Sequence, residues 1–125
     1  MASKTVNIGK LTRGTDVTLK FEIKTSVDLS SARFIVKKRI KDADADAIVN
    51  KLITTTLSAS GQITDPRGAD DLAIALVFLS RSDSMLFKAE FDYQYDFEVF
   101  DPASKSTVPV GGTITYGERV RRGTG

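Results

Sequence analysis

The chain contains no cysteine and no histidine in 125 residues. Without thiols there is no disulfide, no thiolate nucleophile and no Cys-ligated metal. Without imidazole the usual general base and the commonest metal ligand are missing. Together these absences exclude zinc sites, Ser-His-Asp triads and Cys-His pairs. Charge imbalance is also slight, with a formal net charge of +2, too small to imply a nucleic-acid or membrane surface by itself. The longest apolar run, Leu72 to Leu79, is far shorter than the ~20 residues a membrane helix needs. The opening residues Met1 to Thr5 lack the apolar run of a signal peptide. The expectation is a soluble protein made and used, or assembled, in the cytoplasm.

What the chain does have is alternation. Phe91, Tyr93, Tyr95, Phe97 and Val99 fall on one parity, and Glu90, Asp92, Gln94, Asp96 and Glu98 on the other. Side chains on a strand alternate faces with period two, so this stretch predicts a strand with one buried and one wet face. Its aromatic residues mark it as central to a substantial core. Val17, Leu19, Phe21 and Ile23 alternate in the same way with Thr18, Lys20, Glu22 and Lys24. A shorter strand is expected around Val6, Ile8 and Leu11, and two more over residues 32–40 and 47–57. In the first of these Ala32, Phe34 and Val36 oppose Arg33, Ile35 and Lys37; the second suits a helical face nearly as well. Leu72 to Leu79 is apolar on both parities, with Leu72, Ile74, Leu76 and Phe78 as its larger face. Such a strand is either covered on both sides or lies against a partner.

Between these runs lie turn signals. Residues 12–16 contain Gly14, and Asp65-Pro66-Arg67-Gly68 combines a fixed and a free φ. Ser80-Arg81-Ser82-Asp83 is a capping-box variant, predicting one helical turn through Met85, Leu86 and Phe87. Asp101 to Ser106 reads as a hairpin loop. Thr107 to Tyr116 reads as a last strand, with a bulge expected at Gly111-Gly112. About seven to eight strands, one short helical turn and polar connections predict an all-β sandwich over residues 1–116, followed by a basic tail over 117–125.

The order of these pieces resembles a known family. The matching segments are residues 11–18, 32–38, 44–49, 79–84, Tyr93-Gln94-Tyr95-Asp96-Phe97-Glu98-Val99 and Gly112-Thr113-Ile114-Thr115. They are similar to the immunoglobulin-like domains at the N-terminus of siphophage baseplate upper proteins and in other phage virion proteins. The resemblance implies an immunoglobulin-like β-sandwich serving as a structural part of a virion, with no catalytic residues and no cofactor. It implies contacts with other virion proteins and with copies of itself, as a homo-oligomer in the particle. A tail or baseplate position is the first expectation, and a head-decoration or neck protein the second. A stand-alone carbohydrate-binding module is the competing class. The doubly apolar strand, through Val77 and Leu79, and the tail, through Arg119, Arg121 and Arg122, are the expected partner contacts.

The remaining candidates for chemistry have structural readings beside them. Asp42, Asp44 and Asp46 place oxygen ligands at alternate positions as calcium requires, but Ala47 and Ile53 stand where an EF-hand loop needs Gly and Glu. A solvated loop is the expectation, with weak cation binding as the alternative. The run Lys37-Lys38-Arg39-Ile40-Lys41 lacks the aromatic interleaving of single-strand binders and reads as a solvated strand rather than a nucleic-acid patch. Tyr93 and Tyr95 suit a core better than a sugar platform. The acid pairs Glu90 with Asp92 and Asp96 with Glu98 lack the cleft a glycosidase needs. Ser80 or Ser84 with a lysine nearby would make a nucleophilic dyad, without a local signature for one.

Overall fold

The computed structural model describes residues 4–39, 42, 46–103 and 105–118. Nine strands occur among these residues: β1 (Lys4–Thr5), β2 (Ile8–Thr12), β3 (Val17–Lys24), β4 (Ser31–Lys37), β5 (Val49–Thr54), β6 (Gly61–Asp65), β7 (Leu72–Leu79), β8 (Asp92–Phe100) and β9 (Ser106–Gly117). One sheet has the order β1-β9-β8-β4-β5, with β2 also on β9; the other has the order β3-β7-β6. The two inner faces enclose a single apolar core. Taken as B-E-D against G-F-C-C′, this is the strand order of an immunoglobulin-like sandwich.

The aromatic strand is central. Tyr93, Tyr95, Phe97 and Val99 are buried, while Asp92 is exposed and Gln94, Asp96 and Glu98 are half-exposed. Phe91, half-buried, precedes the strand. β4 lies antiparallel to β8 with Arg33 opposite Glu98, Ile35 opposite Asp96 and Lys37 opposite Gln94. The basic and acidic stripes therefore share the outer face, and their opposite charges favour this register over a slipped one.

Facing them across the core, β3 contributes Phe21, whose ring stacks on Phe97 at 4.2 Å and 6°. That stack decides which way β7 turns. Ala75 stands directly opposite Phe21, and Ala73 opposite Ile23. The small residues face inward and leave room for the rings. The inward set is Ala73, Ala75, Val77 and Leu79, all buried; Leu72, Ile74, Leu76 and Phe78 form the half-exposed outer face. The larger face of this strand thus points outward.

Three further features depart from the sequence reading. β6 is a strand that no sequence expectation covers, ending where the Asp65–Gly68 turn signal begins. It pairs with β7 starting from Gly61, whose φ of 142° and whose contact with the Leu76 carbonyl leave no space for a Cβ. Gly111-Gly112 is not a bulge: both residues pair in register with Asp96 and Tyr95. The register shift lies between Phe97 and Val99, where residues 108–109 of β9 stand against Glu98. Pro109 cannot donate to a ladder and suits a bulge. Gly112 instead answers close approach, since at φ 152° a Cβ would stand 2.4 Å from the Val6 carbonyl oxygen. Finally, Gly117 belongs to β9, opposite Thr12, rather than to a tail.

Candidate interaction surface

A polar cluster lies at the helical turn α1 (Arg81–Ser84). Ser80 caps it: the Asp83 N–H donates to Ser80 Oγ at 3.0 Å, and the Ser80 N–H donates to Asp83 Oδ2 at 2.8 Å. Lys51, from the same parity of β5 as Val49 and Ile53, reaches Asp83 Oδ2 at 2.8 Å. Burial alone would raise the Asp83 pKa, but the Lys51 hydrogen bond, the Ser80 N–H, the Lys51 charge and the Ser80 hydroxyl together hold it below its ordinary value. The lysine thus serves the carboxylate and not a serine. Ser84 is fully buried; its hydroxyl donates to the Arg81 carbonyl at 2.6 Å and accepts the Gly14 N–H at 2.8 Å. This is the bonding of a residue that locks the 12–16 turn onto α1. Among the described residues the Ser–Lys arrangement does not form around Ser80 or Ser84. Tyr116 lies close by, its buried hydroxyl without a hydrogen-bond partner among the described residues. Burial, then the Asp83 charge, pushes its pKa up to about 12.

The other candidates are dispersed. Asp42 accepts the Arg39 N–H at 3.0 Å and pairs with the Arg39 side chain at 3.3 Å, so its carboxylate is turned back onto its own loop. Asp46 is exposed, and Asp44 lies outside the described residues. Among the described residues no group of three or more acidic side chains gathers as a metal would require. In the basic run, Lys37 ends β4 and the Lys38 ammonium sits 5.7 Å from the Phe91 ring centre; Ile40 and Lys41 lie outside the described residues. Tyr93 and Tyr95 are core residues whose hydroxyls do structural work. Tyr93 Oη accepts the Lys88 N–H and Tyr95 Oη donates to the Val6 carbonyl, each at 2.7 Å. Glu90 pairs with Lys10, and Asp92 accepts from Thr115 Oγ1.

The remaining features are an apolar stripe and an open strand edge. On the outer face of the β3-β7-β6 sheet, Leu72, Ile74, Leu76 and Phe78 form an apolar stripe along the middle strand. It is flanked by exposed Lys24, Glu22, Lys20 and Thr18 on β3. The expected contact residues Val77 and Leu79 are not on this surface: they are 0% and 1% exposed, packed in the core. Their places are taken by the alternate residues of the same strand. Arg119, Arg121 and Arg122 lie outside the described residues.

Beside the stripe, β3 is an edge. The Thr25 N–H donates to the Asp71 carbonyl at 2.9 Å, and the ladder from Val17–Leu79 to Lys24–Leu72 continues in step. In an antiparallel pair, bonded and non-bonded positions alternate. The backbone groups of odd-numbered residues therefore face β7, and those of Thr18, Lys20, Glu22 and Lys24 face away. Among the described residues no strand pairs with that side. A groove of about 450 Å³ runs beneath the edge, between β3 and the β1–β2 segment, with Val6, Ile8, Leu19, Phe21, Tyr95 and Val110 in its walls. The alternation of β3 is plain in the sequence, but no local signal says which side of a strand stays unpaired.

No family model matches the chain, and no curated protein matches it. Among solved structures, the extracellular portion of mouse CD200RLa is similar with a TM-score of 0.37 and 10% identity, over 90% of this chain and 54% of that one. The chain thus spans about half the length of that protein, and a likeness at this level carries no argument about function. Among the described residues no helix is long and apolar enough to cross a membrane.

Proposed function

We propose that this chain is a non-enzymatic structural component of a bacteriophage virion, in the tail or baseplate, that assembles through its sheet edges, loops and termini. One observation carries the assembling role: an apolar stripe of four side chains lies beside a strand edge whose outward N–H and C=O groups have no partner among the described residues. Open edges of this kind invite strand addition, and apolar surface beside them adds burial. The polar groups that suggested chemistry are spent on holding turns, as at Ser84 and Asp83. The phage context rests on the resemblance of the Tyr93–Val99 and Gly112–Thr115 segments to virion immunoglobulin-like domains. Its test is direct. Particles purified from an infected host through a density gradient are probed for this chain. A fixed copy number per particle supports the reading. Absence from particles, with the soluble protein binding a glycan panel, replaces it with a carbohydrate-binding module.

A further inference from the structure

We infer that the free edge of β3 is built to pair with β3 of a second copy of the chain, antiparallel about a two-fold axis at Phe21. The inference names a partner for the open edge in the reading above and rests on that reading only for the edge's use in assembly. Two features of the strand point to this occupant.

The first is the placement of its backbone groups. The outward residues Thr18, Lys20, Glu22 and Lys24 are spaced symmetrically about Phe21. With Phe21 opposite Phe21 of the second copy, Thr18 meets Lys24, Lys20 meets Glu22, and the reverse. Each of these four pairs exchanges two hydrogen bonds, about eight in all, so every outward group of both strands is used. Moving the axis by one residue, to Lys20 or Glu22, keeps about six of those bonds within the strands but sets Lys20 on Lys20 or Glu22 on Glu22; moving it by two, to Leu19 or Ile23, keeps about half.

The second is charge. In the centred register Lys20 and Glu22 lie directly opposite each other twice, and like charges never do. In the single chain these two side chains pair with each other at 3.4 Å, neither forming another ion pair among the described residues, and both are more than half exposed. An edge lysine ordinarily discourages pairing with another chain. Here the neighbouring glutamate turns the same device into a selector for one register. On the inner side Leu19 would face Ile23 of the second copy, continuing the core over the open groove. The product is a continuous six-stranded sheet with an isologous interface.

Sedimentation of the full chain over a concentration series tests this, with Lys20→Glu, Glu22→Lys and the double swap alongside the natural sequence. A concentration-dependent dimer is expected. Each single reversal should weaken it about tenfold, and the double swap should restore it. Circular dichroism and melting check that the variants stay folded; Lys20 and Glu22 are both exposed. Because the chain has no cysteine, Thr18→Cys gives one spin-label site. The centred register puts the two labelled residues about 20 Å apart, and the Ile23-centred one about 33 Å, from the rise of a strand. A monomer at millimolar concentration overturns the inference. So does a dimer indifferent to the single reversals, or one that the double swap fails to rescue. A dimer absent from particles would instead remove only the virion reading.

Discussion

Lys51 and Asp83 meet at 2.8 Å with their side chains only 15% and 20% exposed, joining edge strand β5 to the capped turn α1. Breaking one side of such a pair leaves the other charge poorly solvated. Lys51→Met should destabilise the fold by about 1–3 kcal/mol. Lys51→Met with Asp83→Asn should cost less than the sum of the two single changes. Urea titration of the four proteins measures the coupling.

The same pair sets an acid limit. Folded, Asp83 holds its proton less tightly than its ordinary 3.8. Its stabilising contribution is therefore complete above pH 3.8 and disappears as pH falls through the lower folded value. Asp83→Asn should be less stable near neutrality and should show a shallower loss of stability below pH 4. An unchanged acid slope in that variant would show that Asp83 takes no part.

At the alkaline end two tyrosines act together. Burial, then the charge of Asp96, pushes Tyr95 from 10.0 to about 12, and Tyr116 rises equally far. Both groups stay protonated longer in the folded chain, so their contribution is full below pH 10 and is lost as pH rises toward 12. Their phenylalanine variants should diverge at neutral pH. Tyr95→Phe leaves the Val6 carbonyl without its donor and should cost about 1 kcal/mol. Tyr116→Phe removes a buried hydroxyl that has no partner among the described residues, and should be neutral or stabilising. Thermal melts at pH 7 and pH 11 separate the two.

Gly112 offers a steric test. At its φ of 152°, a Cβ would stand 2.4 Å from the Val6 carbonyl oxygen, which bars any side chain. Gly112→Ala should push the segment joining β1 to β2 off β9, costing about 1–3 kcal/mol. Amide exchange should rise at Val6, whose N–H donates to the Gly111 carbonyl, while Phe34 and Phe97 remain protected.

Where one strand face is wet and the other buried, the sequence is sufficient to orient it. The aromatic strand and β3 follow their alternation, and the pairing of Arg33 with Glu98 follows from complementary stripes. β7 defeats the same reasoning, because apolar residues on both parities carry no sign. Its direction depends on Ala73 and Ala75 making room for Phe21, a contact 52–54 residues away in the chain. β6 has one large apolar side chain, Ile63, and hence little alternation to detect. Glycine signals both bulges and close approach, which is why Gly111-Gly112 suggests a bulge that lies instead at residues 108–109. The capping box is legible because all its partners are local. Its lysine is not, since nothing local links Lys51 to Asp83. The open side of β3 likewise belongs to sheet order, which only the assembled fold reveals.

The C-terminus supplies the last prediction. The Arg13 N–H donates to the Gly117 carbonyl at 3.0 Å, and the Arg13 side chain meets Glu118 at 2.7 Å. Gly117 and Glu118 are therefore tied to the turn after β2, although the sequence reading begins a basic tail at residue 117. Two truncations separate stability from assembly. Ending the chain after Tyr116 removes both Arg13 contacts and should lower the melting temperature by several degrees, as a loss of about 1 kcal/mol does in a domain of this size. Ending it after Glu118 keeps them and should leave the melting temperature unchanged. If Arg119, Arg121 and Arg122 pair with acidic surface on a neighbouring virion protein, the longer truncate should still be under-represented in purified particles. Normal incorporation of that stable truncate would remove the three arginines from the interface and leave assembly to the β3 edge and the Leu72–Phe78 stripe.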